Sequence, residues 1–271
     1  MKYRLHRQKR LDAAAVPGLK EMLPALRAEG VGLDLALSDT AFNRDVSLAD
    51  LENLRRYLHE EGIALTCHLP YRDLHLGSED ASVHDYARDC LLEGLEMAGV
   101  LKCRIAVLHA GFSNQIRPSR QAAWRERFLE GIQEILRNAE EEDIVLAIEN
   151  TFEPDGEMLR SILESVNSPY LRACIDLGHT ACYSRMAPEE WIEGFKDRIA
   201  MLHFHDNDGQ DDLHLPCGQG VVGYDMVFDA LKSADLSCPI ALEVEEEAWE
   251  PSVEHLRQIG FEFGEVPDPV S

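Results

Sequence analysis

No apolar run in the 271 residues approaches the roughly 20 needed to span a bilayer, so no membrane-embedded role is expected. The basic stretch Met1–Arg7 lacks the apolar run of a signal peptide behind it. Asp12, Pro17 and Glu21 would interrupt an amphipathic targeting helix, so a cytoplasmic location is expected. The seven cysteines (Cys67, Cys90, Cys103, Cys174, Cys182, Cys217, Cys238) include no Cys-x-x-Cys pair. That argues against a thiolate zinc site or a disulfide framework and leaves them as small buried hydrophobes. No Gly-rich phosphate loop follows the first strand, which argues against a dinucleotide-binding open sheet. Positive charge is scarce: 26 Lys and Arg face 50 Asp and Glu, for a formal net charge of -24. Such a chain repels a nucleic-acid backbone, so nucleic acid is not an expected partner.

What is present is a regular alternation of short apolar strands and amphipathic helices. Strands are predicted at Lys2–Leu5 (weak), Val31–Leu37, Ile63–His68, Arg104–His109, Ile144–Glu149, Arg172–Asp176, Ile199–His205 and Pro239–Glu243. Helices are predicted between them: Ala13–Ala28, one capped by Ser47, one from Ser82 to Gly99, and one capped by Ser119. Further helices fall near Glu157–Ser165, from Pro188, over Tyr224–Ser233 and over Pro251–Ile259. Eight strands with few polar interruptions suit a parallel sheet covered on both faces. The expected fold class is α/β, a single (β/α)8 barrel over residues 1–263 with a loose tail at 264–271. Trp124, Trp191 and Trp249 have helical neighbours and read as packing.

Most of these apolar runs end on a metal-competent side chain: His68, His109, Glu149, Asp176 with His179, His203 with His205, and Glu243. The loop Asp212-Leu213-His214 adds two more. One strand-end histidine is usually just a hydrogen-bonding residue. A whole series of them implies that many strand ends converge, and a divalent cation reconciles so many carboxylates and imidazoles. A carboxylate ending an apolar strand, such as Glu149 or Glu243, is costly to bury unpaired.

His68-Leu69-Pro70-Tyr71, Leu108-His109-Ala110-Gly111, Ala147-Ile148-Glu149-Asn150, Asp176-Leu177-Gly178-His179, His203-Phe204-His205-Asp206, Asp212-x-His214 and Leu242-Glu243 together resemble the xylose isomerase-like TIM barrel superfamily. Within it the chain looks most like the sugar phosphate isomerase/epimerase group, a cousin of the endonuclease IV-type enzymes. The resemblance implies a central ion (manganese, magnesium, cobalt or zinc) held by Glu149, Asp176, His203 and Glu243. It also implies Glu149 and Glu243 as the catalytic acid–base pair. In the phosphodiesterase cousins the positions of His68, His109, His179, Asp212 and His214 complete a three-metal cluster, so the set fits one, two or three ions. In one-metal members some of these histidines, here His68, His109 and His179, bind substrate hydroxyls instead. Strand alternation turns His205 to the side of His203 for a substrate or supporting role. Asn150 reads as a residue that orients a carboxylate, and Arg72, Arg117 and Arg120 as loop cations able to meet a phosphate.

The expected activity is therefore metal-dependent isomerisation or epimerisation of a small sugar or sugar phosphate. The alternatives are an endonuclease IV-like multinuclear phosphodiester hydrolase and a non-catalytic sugar- or metal-binding barrel. Barrels of this kind commonly form dimers or tetramers, so a homo-oligomer is compatible with the chain, although no heptad marks one.

Overall fold

A computed structural model describes residues 2–37 and 46–266. Eight parallel strands close into one barrel in sequence order: β1 (Arg4–Arg10), β2 (Gly32–Ala36), β3 (Leu65–His68), β4 (Ile105–His109), β5 (Val145–Glu149), β6 (Leu171–Asp176), β7 (Ile199–Phe204) and β8 (Pro239–Leu242). The helices that cover it are α1 (Ala15–Glu29), α2 (Leu48–Glu61), α3 (Ala81–Leu101), α4 (Pro118–Glu141), α5 (Glu157–Val166), α6 (Leu177–Tyr183), α7 (Pro188–Phe195), α8 (Tyr224–Ser233) and α9 (Glu246–Gln258). The expected (β/α)8 architecture is what the chain adopts.

Several boundaries differ for local reasons. β1 runs on to Arg10 because its outward basic residues are paired. Arg7 lies over the Trp249 ring at 4.7 Å and pairs with Glu246, and Lys9 Nζ is 2.7 Å from the same carboxylate. Asp80, not Ser82, caps α3, accepting from Ser82 N–H at 2.8 Å. That helix passes Gly99 and stops at Lys102 in the left-handed conformation. Pro118 at the first turn, not a Ser119 cap, starts α4. α9 begins five residues before Pro251, which lies inside it. The expected tail is pinned at first: Gly264 N–H donates to Tyr3 O at 2.8 Å and Glu265 pairs with Arg4. Its residues 267–271 lie outside the described part.

Two apolar regions fill the fold. The larger lies between strands and helices and contains Trp124, Phe128, Ile132 and Ile135 of α4, as expected. The smaller fills the lumen with Ile105, Val107, Val145, Ala147, Cys174, Met201 and Ala241. Successive strand residues point to opposite faces. Continuing the lumen register upward therefore gives His109 above Val107, Glu149 above Ala147, Asp176 above Cys174, His203 above Met201 and Glu243 above Ala241. The alternation that packs the lumen also fixes which side chains crown it.

Candidate metal centre

Glu149, 1% exposed, is the hub. Its Oε2 lies 3.0 Å from His68 Nε2 and 3.1 Å from His109 Nε2, and the two nitrogens are 3.2 Å apart. His68 Nδ1 is 2.8 Å from Leu69 O. A carbonyl can only accept, so Nδ1 carries the hydrogen and a neutral ring turns its Nε2 lone pair toward the carboxylate. The same device recurs twice. His179 Nδ1 meets Asn150 O at 2.9 Å with Nε2 3.3 Å from Asp212, and His214 Nδ1 meets Glu243 O at 2.6 Å with Nε2 3.4 Å from Asp212. Lone pairs aimed at carboxylates need a proton or a cation between them, and backbone-anchored imidazoles are the usual support of metal ligands.

Asp176 both ends β6 and caps α6, its Oδ1 accepting from His179 N–H at 2.6 Å. Asn150 holds it on both backbone sides, accepting from Asp176 N–H at 2.8 Å and donating to Asp176 O at 3.0 Å. His205 Nε2 is 3.1 Å from the Asp176 carboxylate, and its ring stacks on His214 with centroids 4.0 Å apart. Gly178 is required beneath it, because a Cβ there would lie 1.9 Å from the His205 ring. The loop beyond β7 is organised by buried Asp206, which accepts from the N–H groups of Asn207, Gly218 and Val222 at 2.9, 3.0 and 3.0 Å. The loop thereby carries Asp212 and His214 to the mouth.

His203 is fully buried, with Nδ1 2.9 Å from Glu243 Oε1 and 3.3 Å from Glu149 Oε1. Neither ring nitrogen has a hydrogen-bond partner. Nitrogen and carboxylates converge here without bonding one another, as donors around a shared ion do. Donor atoms lie within 4.8 Å of one another in five groups: His68–His109–Glu149, Asp176–His179–His205, His205–Asp212–His214, Asp34–His203–Glu243 and Glu149–Asp176–His203. All nine expected ligands fall in these groups. The donor set, nitrogen and oxygen without thiolate, fits zinc, manganese or cobalt.

In the metal-free chain the electrostatics follow this crowding. Burial raises the Glu149 and Glu243 carboxyls, but the facing His203 outweighs it and holds both well below the usual range, helped at Glu149 by His109. His214 loses some basicity to burial yet is raised to about 9 by Asp212 and Glu243. Burial lowers His109. Glu153, outside the cluster and accepting from Thr151 N–H at 2.6 Å, is raised by burial to about 7.

A mouth cavity of about 480 Å³ opens above the cluster, lined by seven of the candidate ligands together with Tyr71, Arg72, Phe152 and Tyr183. A larger cavity of about 1020 Å³ lies against the starts of β1, β3, β4 and β8 and holds none of the nine. Of the residues expected to bind substrate, His68, His109 and His179 line the mouth, whereas His205 is buried behind Asp176 and His214. Arg117 sits exposed at the start of α4, outside the mouth lining; Arg72 lines it instead. Sequence reasoning missed Gln8, Asp34 and Thr66. The available signal was Asp34 itself, a lone charge inside the apolar run Val31–Leu37.

Fold and site together define an eight-stranded α/β barrel with a cluster of metal-competent side chains at its mouth. The chain belongs to the xylose isomerase-like TIM barrel family, whose model matches residues 15–259. It is 26% identical over 190 residues to the MJ1311 protein of Methanocaldococcus jannaschii, a match covering 67% of this chain and 64% of that one, just under two thirds of its length. It is 25% identical over 230 residues to the L-ribulose-5-phosphate 3-epimerase UlaE of Escherichia coli, covering 82% of this chain and 78% of the relative. Among solved structures, the TTHB071 protein of Thermus thermophilus, from a ZnCl2 soak, superposes with a TM-score of 0.76 at 29% identity, covering 96% of this chain and 98% of that one.

Proposed function

We propose that this protein is a divalent-metal-dependent isomerase or epimerase of a small sugar or sugar phosphate, moving a proton on a carbon next to a carbonyl. The observation that carries this reading is the pair Glu149 and Glu243, brought from β5 and β8 to either side of His203 Nδ1 at 3.3 and 2.9 Å. A bound divalent ion would polarise the substrate oxygens and acidify the neighbouring C–H. Glu149, Asp176, His203 and Glu243 would hold it. Glu149 and Glu243 take and return the proton from opposite faces. The Gln8 amide donates to Glu243 Oε1 and sets that carboxylate's rotation. Tyr71, Phe152 and Tyr183 supply apolar walls, and Arg72 also lines the mouth. The similarity to the L-ribulose-5-phosphate 3-epimerase UlaE supports the same reaction class. No described helix is long and apolar enough to cross a membrane, which suits the proposed cytoplasmic location.

The test is solvent deuterium incorporation by the metal-loaded protein across a ketose and ketose-phosphate panel. Exchange at one carbon is expected; none with any member would sink the reading.

One observation favours a second reading. His68 and His109 share Glu149 Oε2, and His179 and His214 share Asp212 Oδ2, which provides for ions flanking the central one. Clustered ions generate a hydroxide suited to phosphodiester hydrolysis. The net charge of -24 then points to a small phosphodiester rather than DNA. Cleavage of bis(p-nitrophenyl) phosphate by protein carrying about three zinc ions per chain, without deuterium exchange, would select it.

A further inference from the structure

Asp34 sits halfway along β2, completely buried, between Gly32 and Ala36 on the lumen face. Its register neighbours are Gln8 on β1 and Thr66 on β3, and both bind it. Thr66 donates its hydroxyl to Asp34 Oδ1 at 2.6 Å, and the Gln8 amide reaches Asp34 Oδ2 at 3.5 Å. The same amide donates to Glu243 Oε1, so one side chain ties two carboxylates together inside the lumen. The charged neighbours acting on Asp34 are His203, His68 and Glu243, with no Lys or Arg among them. His68 is engaged with Leu69 O and Glu149, which leaves His203 as its nearest counterpart. His203 is completely buried and hydrogen-bonded at neither ring nitrogen, its Nδ1 facing the Glu243 and Glu149 carboxylates at 2.9 and 3.3 Å. Carboxylates crowded in a dry lumen without a cation are strongly unfavourable. Donor atoms of Asp34, His203 and Glu243 lie within 4.8 Å of one another, a spread that one ion with bonds of about 2.0–2.6 Å can bridge.

We propose that Asp34, from the interior of β2, is an additional ligand of the cation centre and that it binds the central ion from below together with His203 and Glu243. This rests on reading the mouth as a divalent-cation centre. Thr66 and Gln8 hold the carboxylate in place without competing for the ion, since each occupies one lone-pair direction only.

The experiment loads the full chain with Co(II) and follows metal affinity and the visible d–d spectrum of wild type, Asp34→Asn and Asp34→Glu. Asp34→Asn is expected to weaken Co(II) binding about 10–100-fold and to change the d–d bands, with Asp34→Glu recovering part of the affinity. A residue that merely packs would lower the melting temperature and leave affinity and spectrum as in wild type, and that result overturns the inference. Should Asp34→Asn not fold, a crystal structure of wild type soaked in Mn(II) decides. An Asp34 oxygen within about 2.6 Å of the ion is expected, and one beyond about 4 Å overturns the assignment. Wild type that takes up no Co(II) overturns both this and the metal-dependent reading. Metal-loaded wild type that fails to exchange deuterium overturns only the proposed reaction.

Discussion

Two arcs of the same barrel use their polar residues differently. From β4 to β8 the lumen is apolar and the strands keep their candidate ligands for the end: His109, Glu149, Asp176, His203 and, just past β8, Glu243. From β1 to β3 the polar residues Gln8, Asp34 and Thr66 lie within the strands. One row of register partners runs Gln8, Asp34, Thr66, Ile105, Val145 and turns from polar to apolar between β3 and β4. The difference teaches that a strand end and a strand interior set different tasks. At the end, a carboxylate meets the mouth cavity and can serve substrate or ion. In the interior it is buried among side chains that must hold it, as Thr66 and Gln8 hold Asp34.

The largest effect should come from the arc of β4 to β8. Glu149→Ala removes the carboxylate shared by His68, His109 and His203, and should cut the deuterium-exchange rate by about 10²–10³-fold or more. A fall of less than tenfold would remove Glu149 from its place as hub. Next is Glu153, just beyond that arc, a buried carboxyl with no ion pair to a basic side chain among the described residues. Its folded pKa is raised to about 7, so its contribution to stability is complete below about pH 4.5 and lost as pH rises through 7. Metal-free Glu153→Gln should therefore gain on wild type between pH 5 and pH 8, by about 2.5 kcal/mol in urea unfolding. Parallel stabilities at the two pH values would refute this.

On the other arc, Gln8→Leu frees Glu243 and Asp34 from their shared amide without removing a ligand. Metal affinity or exchange rate should drop about 10–100-fold, measured by chelator competition and kinetics. A loss as large as that of Glu149→Ala would erase the contrast between the arcs. The smallest effect belongs to Arg117→Ala, at an exposed helix start outside the mouth. It should change KM by no more than about twofold, since exposed charges contribute little.

The barrel was readable because buried strands and helical stripes alternate without a break, and because each strand-end ligand stands out against an apolar run. α6 escaped notice: at seven residues it is too short for an apolar stripe, and its cap is Asp176, which reads first as a ligand. β1 was placed too early because Arg7 and Lys9 look like loop charges until Glu246 and Trp249 are seen opposite them. Within the site, strand alternation and order bring the nine expected ligands together, and the lumen register explains why. Asp34 was hidden by the opposite logic, since a single aspartate between leucines carries no strand-end signature. The placements of His205 and Arg117 depend on loop paths: the Asp206-organised loop stacks His214 over His205, and the path from His109 to Pro118 leaves Arg117 outside.

The central claim is that the converging strand ends form a divalent-cation centre. Elemental analysis of the purified chain, loaded with Mn(II), Co(II) or Zn(II) and then desalted, tests it most directly. About one to three tightly held ions per chain are expected, lost when Glu149 and His203 are both replaced by alanine. A wild-type chain that retains no metal, or a double variant that retains as much as wild type, would contradict it.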